Sequence, residues 1–497
     1  MNLPYDPSDP NFKTAIRAIP GYPPGEDVPI RAMVFQSDAL FRLPELLTTI
    51  GARPDAPLFI VVDELPIRRN GQELKPFTVN YLRDAGWQAE TIVLTPEHGA
   101  PLHTDMHQIE RVQSQLTERR SLSQIPAVIA IGSGTVTDVS KHACFLYEKE
   151  HGTHIPFIVM PTANSVSAYT SNTASVKVGG VKKTLPSRYL DILLCDIETL
   201  SSAPRTATVA GVGDLLVAFG CFADWFLAAR VGHDTNYSDL PRLLIGPLDQ
   251  IFFENAPDIR QATPHGTEIL AKLLALEGLC QSLAHTSAPF SGFEHSISHL
   301  LDIMTEQRLV PPTLHGTQVA LLTVLTTLAF QEFMREFDPT TLDLDSCYPT
   351  ADEMHARIQR AFAPLDASGS IAEECWREYK KKLDAWYAHR ANFEQFIRDW
   401  GSIRAQLETI VRPPQPLVEI LQRMDSPTHF EQLNPAPAEE HLRYAFINAS
   451  FIRSRFTLGD LFIFLNWNME QLWDTLWRTS RALTLSQTTT ITPRPIA

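Results

Sequence analysis

The segment PAVIAIGSGTVTDVSKHACFLYEKEHGTHIPFIVMPT (residues 126–162) contains, in order, a strand-like run, a short glycine turn, a helix-like run and a second strand-like run. The apolar runs at 126–132 and 156–162 are short and bounded by turn residues, which is typical of buried strands. Residues 135–152 between them predict a helix. A strand, a helix and a second strand at this spacing predict a parallel βαβ unit.

The same alternation continues on the N-terminal side of this segment. Runs at 57–63 and 87–94 predict strands, and runs at 73–86 and 107–120 predict helices. After about residue 205 the pattern becomes helical and stays helical to about residue 475. The predicted fold class is therefore an α/β N-terminal domain followed by an all-α C-terminal domain. The predicted parts are an irregular segment at 1–30, an α/β domain at 31–205, an all-helical domain at 206–480 and a disordered tail at 481–497.

Composition and charge exclude several classes of protein. The 497 residues carry a formal charge of −15, which argues against a nucleic-acid partner, since nucleic acids bind basic surfaces. No uninterrupted apolar run reaches about 18 residues, so membrane insertion is not expected. The start, MNLPYDPSDPNFKT, lacks the basic and apolar parts of an export signal. The six cysteines form no CxxC pair, and together these features predict a cytoplasmic protein without disulfides.

The turn Gly132-Ser133-Gly134-Thr135 follows a predicted strand and opens a predicted helix. Free backbone N–H groups and the helix dipole favour an anion at such a place, and glycine lets a phosphate approach the backbone closely. The turn lacks the full GxGxxG spacing of a dinucleotide fingerprint. A phosphate cradle and an ordinary tight corner are both compatible with these residues.

A second feature bears on the choice of nucleotide. Asp63 ends the predicted strand 57–63, where an acid can bond the adenosine ribose and favour NAD. Arg68 and Arg69 follow closely and can accommodate a 2′-phosphate. The sequence therefore leaves both NAD(H) and NADP(H) open.

Hydroxyl-bearing side chains crowd the segment MPTANSVSAYTSNTASVKVGGVKKTLP, just past the predicted strand 156–162. Open α/β sheets bind ligands at the carboxyl ends of their strands. The residues after it predict a β-hairpin turned by Gly179-Gly180. Its basic edge, formed by Lys177, Lys182 and Lys183, is either a solvated face or a contact for an anionic group.

Candidate metal ligands occur in the predicted helical half. Asp214 stands in the apolar stretch GVGDLLVAF, and a buried carboxylate needs a partner such as a cation. His295 and His299, four residues apart in GFEHSISHLLD, share one helix face, and His315 opens another helix after two prolines. An aspartate and two histidines with an open fourth position suit zinc or a similar divalent ion. Each histidine taken alone favours a structural or solvent-facing role, and the combination carries more weight than its members.

Six motifs occur in a fixed order along the chain: AIGSGTVTDVSK, PTANSVSAYTS, GVKKTLP, AGVGDLL, SGFEHSISH and LHGTQVAL. Together they resemble the glycerol-1-phosphate dehydrogenases, within the superfamily of iron-type alcohol dehydrogenases and dehydroquinate synthases. The segment AFINASFIRSRFTLGDL is similar to that family's closing helices, so the resemblance covers roughly residues 30–475. It implies a dehydroquinate synthase-like fold with a dinucleotide-binding α/β domain and a metal-binding helical domain.

The resemblance also implies roles for individual residues. NAD(H) or NADP(H) is expected at Asp63 and at Gly132, Ser133, Gly134, Thr135, Val136, Asp138, Thr162, Ser165 and Ser171. One divalent ion is expected at Asp214, His295 and His315; zinc is favoured, and nickel and iron also fit. The substrate is expected at Ser167, Lys182, Lys183, Asp214 and His299, with Asp214 and His299 acting in catalysis.

The chain departs from the family pattern at one substrate position. The family follows its PTAPS motif with one residue and then Asp-Gly, where this chain has Ser167-Ala168. The implied reaction is reduction of a small anionic carbonyl compound, with dihydroxyacetone phosphate giving sn-glycerol 1-phosphate in phospholipid biosynthesis. Serine at 167 puts the identity of that compound in question. A homo-oligomer is also open, and the extra length at 335–410 has no counterpart in the family pattern.

Two other functions remain open at this point. A lyase similar to dehydroquinate synthase would use the same acid and histidines but would regenerate its NAD in each turnover. A non-catalytic nucleotide-binding descendant would have no use for the combination of Asp214, His295 and His315.

Overall fold

The computed structural model describes residues 3–96, 102–119, 125–178 and 181–488. Ten strands lie in this part of the chain. They are β1 (Ala32–Gln36), β2 (Pro57–Asp63), β3 (Arg68–Arg69), β4 (Gln72–Glu73), β5 (Gln88–Leu94), β6 (Ala127–Gly132), β7 (Phe157–Pro161), β8 (Thr173–Val178), β9 (Val181–Pro186) and β10 (Ile192–Asp196).

Helices account for most of the remaining described residues. They are α1 (Phe12–Arg17), α2 (Leu43–Thr49), α3 (Leu74–Asp84), α4 (Met106–Glu118), α5 (Gly134–His151), α6 (Ile197–Ser201), α7 (Arg205–Leu216), α8 (Cys221–Arg230), α9 (Leu240–Ile245), α10 (Leu248–Arg260), α11 (Pro264–Leu283), α12 (Phe293–Glu306), α13 (His315–Glu336), α14 (Ala351–Phe362), α15 (Ser370–Ala388), α16 (Arg390–Arg398), α17 (Trp400–Ile410), α18 (Pro414–Arg423), α19 (Glu439–Asn448), α20 (Leu458–Phe464) and α21 (Met469–Thr488).

The main sheet has six parallel strands in the order β1-β10-β7-β6-β2-β5. Four strands of this sheet were predicted from the sequence: β2, β5, β6 and β7, each within one residue of its predicted bounds. Strands β1 and β10 were not predicted, and they pair with each other across distant parts of the chain. Gly132 pairs with Pro161, so the glycine turn and the hydroxyl-rich segment leave the sheet at the same edge.

The sheet buries its hydrophobic residues against helices. Ile60, Ile129 and Leu194 belong to a core that also contains Leu47 of α2 and Leu82 of α3. Helix α5 also contacts β2, β6 and β7. Successive residues of a strand point to opposite faces of the sheet. Because residues on both faces are buried, the strands are almost continuously apolar.

The long apolar stretch that follows the sheet is helical, as predicted, but it is interrupted. Helix α7 ends at Leu216, and a 3-10 turn, Val217–Phe219, precedes α8. Gly220, which lies between the 3-10 turn and α8, has a non-helical backbone conformation. In the described part of the chain, residues 205–230 form the one stretch that is long and apolar enough to cross a membrane, and 78% of its most apolar window is buried within the fold.

The two ends of the chain also depart from expectation. The segment 1–30 contains a short helix, α1, whose Phe12 and Ile16 are buried. The expected disordered tail at 481–497 is wrong in its first part, because α21 continues to Thr488 and buries Ser480 and Thr484. Residues 489–497 lie outside the described residues, as do Gly179 and Gly180, the predicted hairpin turn between β8 and β9.

The chain divides into two compact units. The first comprises Met1–Val178, Lys182–Leu215 and Ser238–His285, and the second comprises Gly179–Val181, Leu216–Tyr237 and Thr286–Ala497. The first unit contains the main sheet together with α7 and α9–α11, and α11 packs on β1. The predicted domain boundary at 205 stays a prediction, and the compact units are cut at other positions.

The extra length at 335–410 forms α14–α17 within the second unit. Lys382 of α15 and Asp460 of α20 form an ion pair of 2.6 Å, with both side chains fully buried. The Lys382 ammonium also donates to the carbonyls of Ser450 and Arg455, at 2.6 and 3.1 Å. These contacts fix the inserted helices to the helices that close the chain.

His154, which precedes β7, makes the stability of the fold depend on pH. His154 lies 3.0 Å from Asp191 and 3.0 Å from Glu148, and these two hydrogen bonds raise the pKa of His154 from 6.5 to about 9. A raised pKa in the folded state stabilises the fold fully below pH 6.5, and this stabilisation is lost as the pH rises through about 9.

We therefore expect the melting temperature of the wild-type protein to fall more steeply from pH 6.5 to 9 than that of a His154→Gln variant. The measurement is thermal unfolding at several pH values in this range. Equal slopes for the two proteins would show that His154 does not contribute.

Candidate active site

The glycine turn joins β6 to α5. Ser133 precedes the helix and Thr162 donates its N–H to the carbonyl of Gly132, at 3.1 Å. A Cβ atom at position 132 would lie 2.4 Å from Val136 Cγ2, and one at position 134 would lie 2.8 Å from Val166 Cγ2. Packing therefore disfavours a side chain at both positions, whatever the turn binds.

Several residues expected at the cofactor form a buried network instead of a set of free groups. Asp138 accepts from the Ser175 N–H at 3.1 Å and pairs with Lys141 at 3.1 Å. Lys141 also donates to the carbonyl of Ala168 at 2.8 Å and lies 3.4 Å from the Ser171 hydroxyl. Burial raises the pKa of Asp138 and lowers that of Lys141, and their mutual attraction opposes both shifts. Asp138 and Ser171 are thus held by the protein's own groups.

Asp63 lies in a cavity of about 630 Å³ beside the carboxyl end of β2. Its carboxylate contacts Lys75, whose ammonium also donates to the carbonyls of Asp63 and Leu65. Arg69, expected to accommodate a 2′-phosphate, is 6% exposed and its guanidinium bonds Asp196 and Asp38. Lys75 and Arg83 are therefore the basic residues that line this cavity with Asp63, and Arg69 is not among them.

Asp214, on α7, is 5% exposed. Its Oδ2 accepts the backbone N–H of Ser167 at 3.1 Å. Burial raises the pKa of the Asp214 carboxyl to about 7, and the bonds from Ser167 oppose that rise. Gly211, one turn earlier, allows this placement, because a Cβ atom there would lie 2.1 Å from the carbonyl oxygen of Asn164.

Ser167 does not present a free hydroxyl. Its Oγ–H donates to Glu277 Oε1 at 2.8 Å, and its oxygen accepts from the Gln281 amide at 3.3 Å. Glu277 is 1% exposed, and burial, followed by the nearby charge of Asp214, raises the pKa of its carboxyl well above the ordinary value. The expectation that the Ser167 hydroxyl bonds a substrate is therefore revised, because that hydroxyl is already engaged.

Three histidines lie together on α12 and at the start of α13. The ring centroids of His295 and His315 are 5.1 Å apart, and the ring of His299 stacks on His315 at 5.6 Å. His295 Nδ1 lies 3.0 Å from Oε1 of Glu294. With Nδ1 engaged in this contact, a metal ion would meet His295 through Nε2.

Nδ1 of His315 is engaged in a similar way. It lies 3.1 Å from the Ser298 hydroxyl, which also bonds Gln318 Oε1. A metal ion would therefore meet His315 through Nε2 as well. Such hydrogen bonds on the remote ring nitrogen orient histidine ligands in metal sites.

The three candidate metal ligands divide between the two compact units, with Asp214 in the first and His295 and His315 in the second. A carboxylate and two imidazoles are suitable donors for zinc, iron or nickel. Within the second unit, the two candidate histidine ligands lie side by side. Zinc, nickel and iron are not distinguished by this donor set.

The remaining predicted site residues have varied environments. Thr162 is 4% exposed, and Ser165 is half-buried in the segment that follows β7. Lys182 is exposed and Lys183 half-buried on β9. Thr135 is half-buried and Val136 buried in the first turn of α5.

Sequence reasoning missed four residues of this site: Glu277, Gln281, Glu294 and Ser298. A signal existed for the first, since Glu277 is a single acid in the apolar run LLALEGLC, as Asp214 is in its own helix. Glu294 directly precedes a candidate ligand, which makes it a natural partner for His295. Nothing in the sequence marks Gln281 or Ser298.

Comparisons with known proteins agree with the resemblance predicted from the motifs. Residues 34–204 match the family model described as iron-containing alcohol dehydrogenase. A glycerol-1-phosphate dehydrogenase of Bacillus subtilis, named as using NAD(P)+, is 28% identical over 311 residues, covering 61% of this chain and 75% of that protein. One of Pyrococcus furiosus with the same name is 30% identical over 220 residues, covering 44% of this chain and 59% of that protein.

Solved structures show the fold. A glycerol dehydrogenase of Schizosaccharomyces pombe has a TM-score of 0.56 at 13% identity, covering 94% of this chain and 93% of the other. An iron-containing alcohol dehydrogenase of Thermococcus thioreducens has a TM-score of 0.55 at 12% identity, covering 91% of this chain and 99% of the other. The predicted recognition and fold class are confirmed, and the relatives' names support the expected class of enzyme, an NAD(P)-dependent oxidoreductase.

The contact at the glycine turn generates a stability prediction. Gly134→Ala places a Cβ atom against Val166, and overpacking of this kind costs about 1–3 kcal/mol. We expect Gly134→Ala to lower the melting temperature, and Val166→Ala to relieve the loss when the two changes are combined.

The control is Val166→Ala alone, which should match the double variant in stability. If the turn also cradles a pyrophosphate, the double variant should bind NAD(H) at least tenfold more weakly than this control, a difference of about 1.4 kcal/mol. A Gly134→Ala protein as stable as wild type would contradict the packing argument.

Proposed function

We propose that this chain is a metal-dependent NAD(P)H oxidoreductase that reduces a hydroxyketone phosphate. The preferred reaction is dihydroxyacetone phosphate to sn-glycerol 1-phosphate, with related anionic carbonyl compounds as alternatives. The observation that carries the proposal is the pair of imidazoles, His295 and His315, whose ring centroids lie 5.1 Å apart and whose Nδ1 atoms are engaged by Glu294 and Ser298. The names of the relatives support the same reaction class.

The donor set fits the divalent ion that the proposal requires. Asp214 would supply a carboxylate oxygen, and His295 and His315 would supply Nε2. Three protein ligands with an open position are typical of catalytic zinc sites. When bound, the ion would polarise the substrate carbonyl as a Lewis acid.

The cofactor would lie at the carboxyl edge of the sheet, where doubly wound α/β sheets bind nucleotides. The first turn of α5 would face the pyrophosphate with its N–H groups. The cavity containing Asp63 and Lys75 would receive the adenosine ribose. An acid and an ammonium in the same cavity suit a ribose hydroxyl and a 2′-phosphate respectively, so use of both NAD(H) and NADP(H) is expected.

The chain's own groups would then orient the substrate and move the proton. His299, whose ring stacks on His315, would pass a proton to the alcohol oxygen formed by hydride transfer. Lys182 and Lys183 would attract the anionic group of the substrate. Ser167 would act through its backbone, because its N–H fixes Asp214.

The metal assignment is tested by substitution of a ligand. Because His315 would be one of three protein ligands, His315→Ala should lose the bound metal and nearly all activity while keeping the fold. His299→Ala is the matched control, since it removes a neighbouring imidazole that is not a proposed ligand and should retain the metal. The measurements are metal content by elemental analysis and circular dichroism; equal metal content in His315→Ala and wild type would exclude ligand status.

The substrate class is tested with a panel of phosphorylated and neutral carbonyl compounds, followed by NADH and NADPH oxidation. We expect the anionic compounds to be preferred and Lys182→Ala to raise KM for them by tenfold or more, which corresponds to about 1.4 kcal/mol. Lys380→Ala, which removes an exposed lysine paired with Asp384, is the control for a general change of charge.

Two outcomes would contradict this substrate class. One is much faster reduction of neutral aldehydes or ketones together with no effect of Lys182→Ala. The other is turnover without net consumption of NADH, which would favour a lyase that regenerates its cofactor.

A further inference from the structure

Glu277 is buried in the apolar helix α11 and no part of the proposed reaction uses it. Its Oε1 accepts from the Ser167 hydroxyl at 2.8 Å and from the Gln281 amide at 3.4 Å. Its Oε2 is buried and has no hydrogen-bond partner among the described residues. Buried side-chain oxygens without a partner are rare, and each one requires an explanation.

Close packing fixes the position of this carboxyl. A Cβ atom at Gly278 would lie 2.3 Å from Thr170 Oγ1 and 2.6 Å from the carbonyl oxygen of Ser167. The Thr170 hydroxyl in turn donates to the carbonyl of Ala275 at 2.6 Å. Helix α11 is therefore seated directly on the segment that carries Ser167, and Glu277 cannot move far from it.

Ser167 connects Glu277 to Asp214. Ser167 donates its hydroxyl proton to Glu277 and its backbone N–H to Asp214. Neither group is then available to donate to a substrate. In this network of Asp214, Ser167, Gln281 and Glu277, the buried oxygen that has no hydrogen-bond partner among the described residues is Oε2 of Glu277.

We propose that Glu277 is the residue that recognises a free hydroxyl of the substrate, and that it supplies from α11 the carboxyl that position 167 lacks. The ligand class is a small hydroxy-carbonyl compound whose hydroxyl pairs with Glu277 Oε2. A hydroxyl both donates and accepts, so it satisfies Oε2 whether or not the carboxyl carries a proton. The inference rests on the proposed function, since it concerns the specificity of the same site.

The proposal has a consequence for position 167. An aspartate there, taken alone, would place a third buried carboxyl against Glu277 and Asp214, which like-charge repulsion and desolvation disfavour. Ser167→Asp is therefore expected to impair the protein. The impairment should be relieved in Ser167→Asp/Glu277→Ser, which moves the carboxyl from α11 to position 167.

The specificity test compares dihydroxyacetone phosphate with acetol phosphate, which has the same carbonyl and phosphate but lacks the free hydroxyl. Glu277→Ala in the metal-loaded enzyme should raise KM for dihydroxyacetone phosphate tenfold or more and change KM for acetol phosphate less than twofold. Glu277→Gln should recover part of the preference, because its amide still pairs with a hydroxyl. An equal rise for both compounds, or no rise for either, would overturn the proposal.

A stability measurement separates this inference from the proposed function. If the wild-type enzyme reduces neither compound, the proposed reaction fails, and the exchange of carboxyls is still tested by thermal unfolding. The double variant Ser167→Asp/Glu277→Ser should melt above Ser167→Asp. A double variant that melts at or below Ser167→Asp would show that the two positions do not share one carboxyl, which would overturn the inference.

Discussion

The burial of the Asp214 carboxylate is the constraint on which the account of this site depends. A charge removed from water is costly unless it is paired, and the Ser167 N–H supplies only one neutral donor. Burial accordingly raises the pKa of Asp214. A cation is the partner that would hold this carboxylate ionised, and in the proposed function His295 and His315 would share that cation. Gly211, by admitting the Asn164 carbonyl to the surface of α7, keeps Asp214 in this position.

The neighbours of the two histidines hold both rings in the same way. Glu294 lies 3.0 Å from Nδ1 of His295, and Ser298, which also bonds Gln318, lies 3.1 Å from Nδ1 of His315. With Nδ1 engaged in both rings, a metal ion would meet each imidazole through Nε2. Contacts of this kind on the remote nitrogen are typical of histidine ligands in metal sites.

The sequence predicted the parts of this molecule that depend on local pattern. Strands β2, β5, β6 and β7 and helices α3–α5 have continuous apolar runs or clear periodicity, whereas β1 and β10 pair with each other across distant parts of the chain. The metal candidates were predicted because each stands out from its surroundings. Glu277 was missed because it meets Ser167 across 110 residues of sequence. Arg69 was misinterpreted because its partners Asp38 and Asp196 lie 31 and 127 residues away. Contacts of this kind are set by the packed fold and leave no local trace.

The most direct test of the central claim is a crystal structure of the protein reconstituted with a divalent ion, with anomalous scattering measured at the absorption edge of that ion. The account predicts one anomalous peak at bonding distance, roughly 2.0–2.2 Å, from a carboxylate oxygen of Asp214 and from Nε2 of His295 and His315. A stoichiometric ion bound elsewhere, or one ligated through Nδ1 of either histidine, would contradict it.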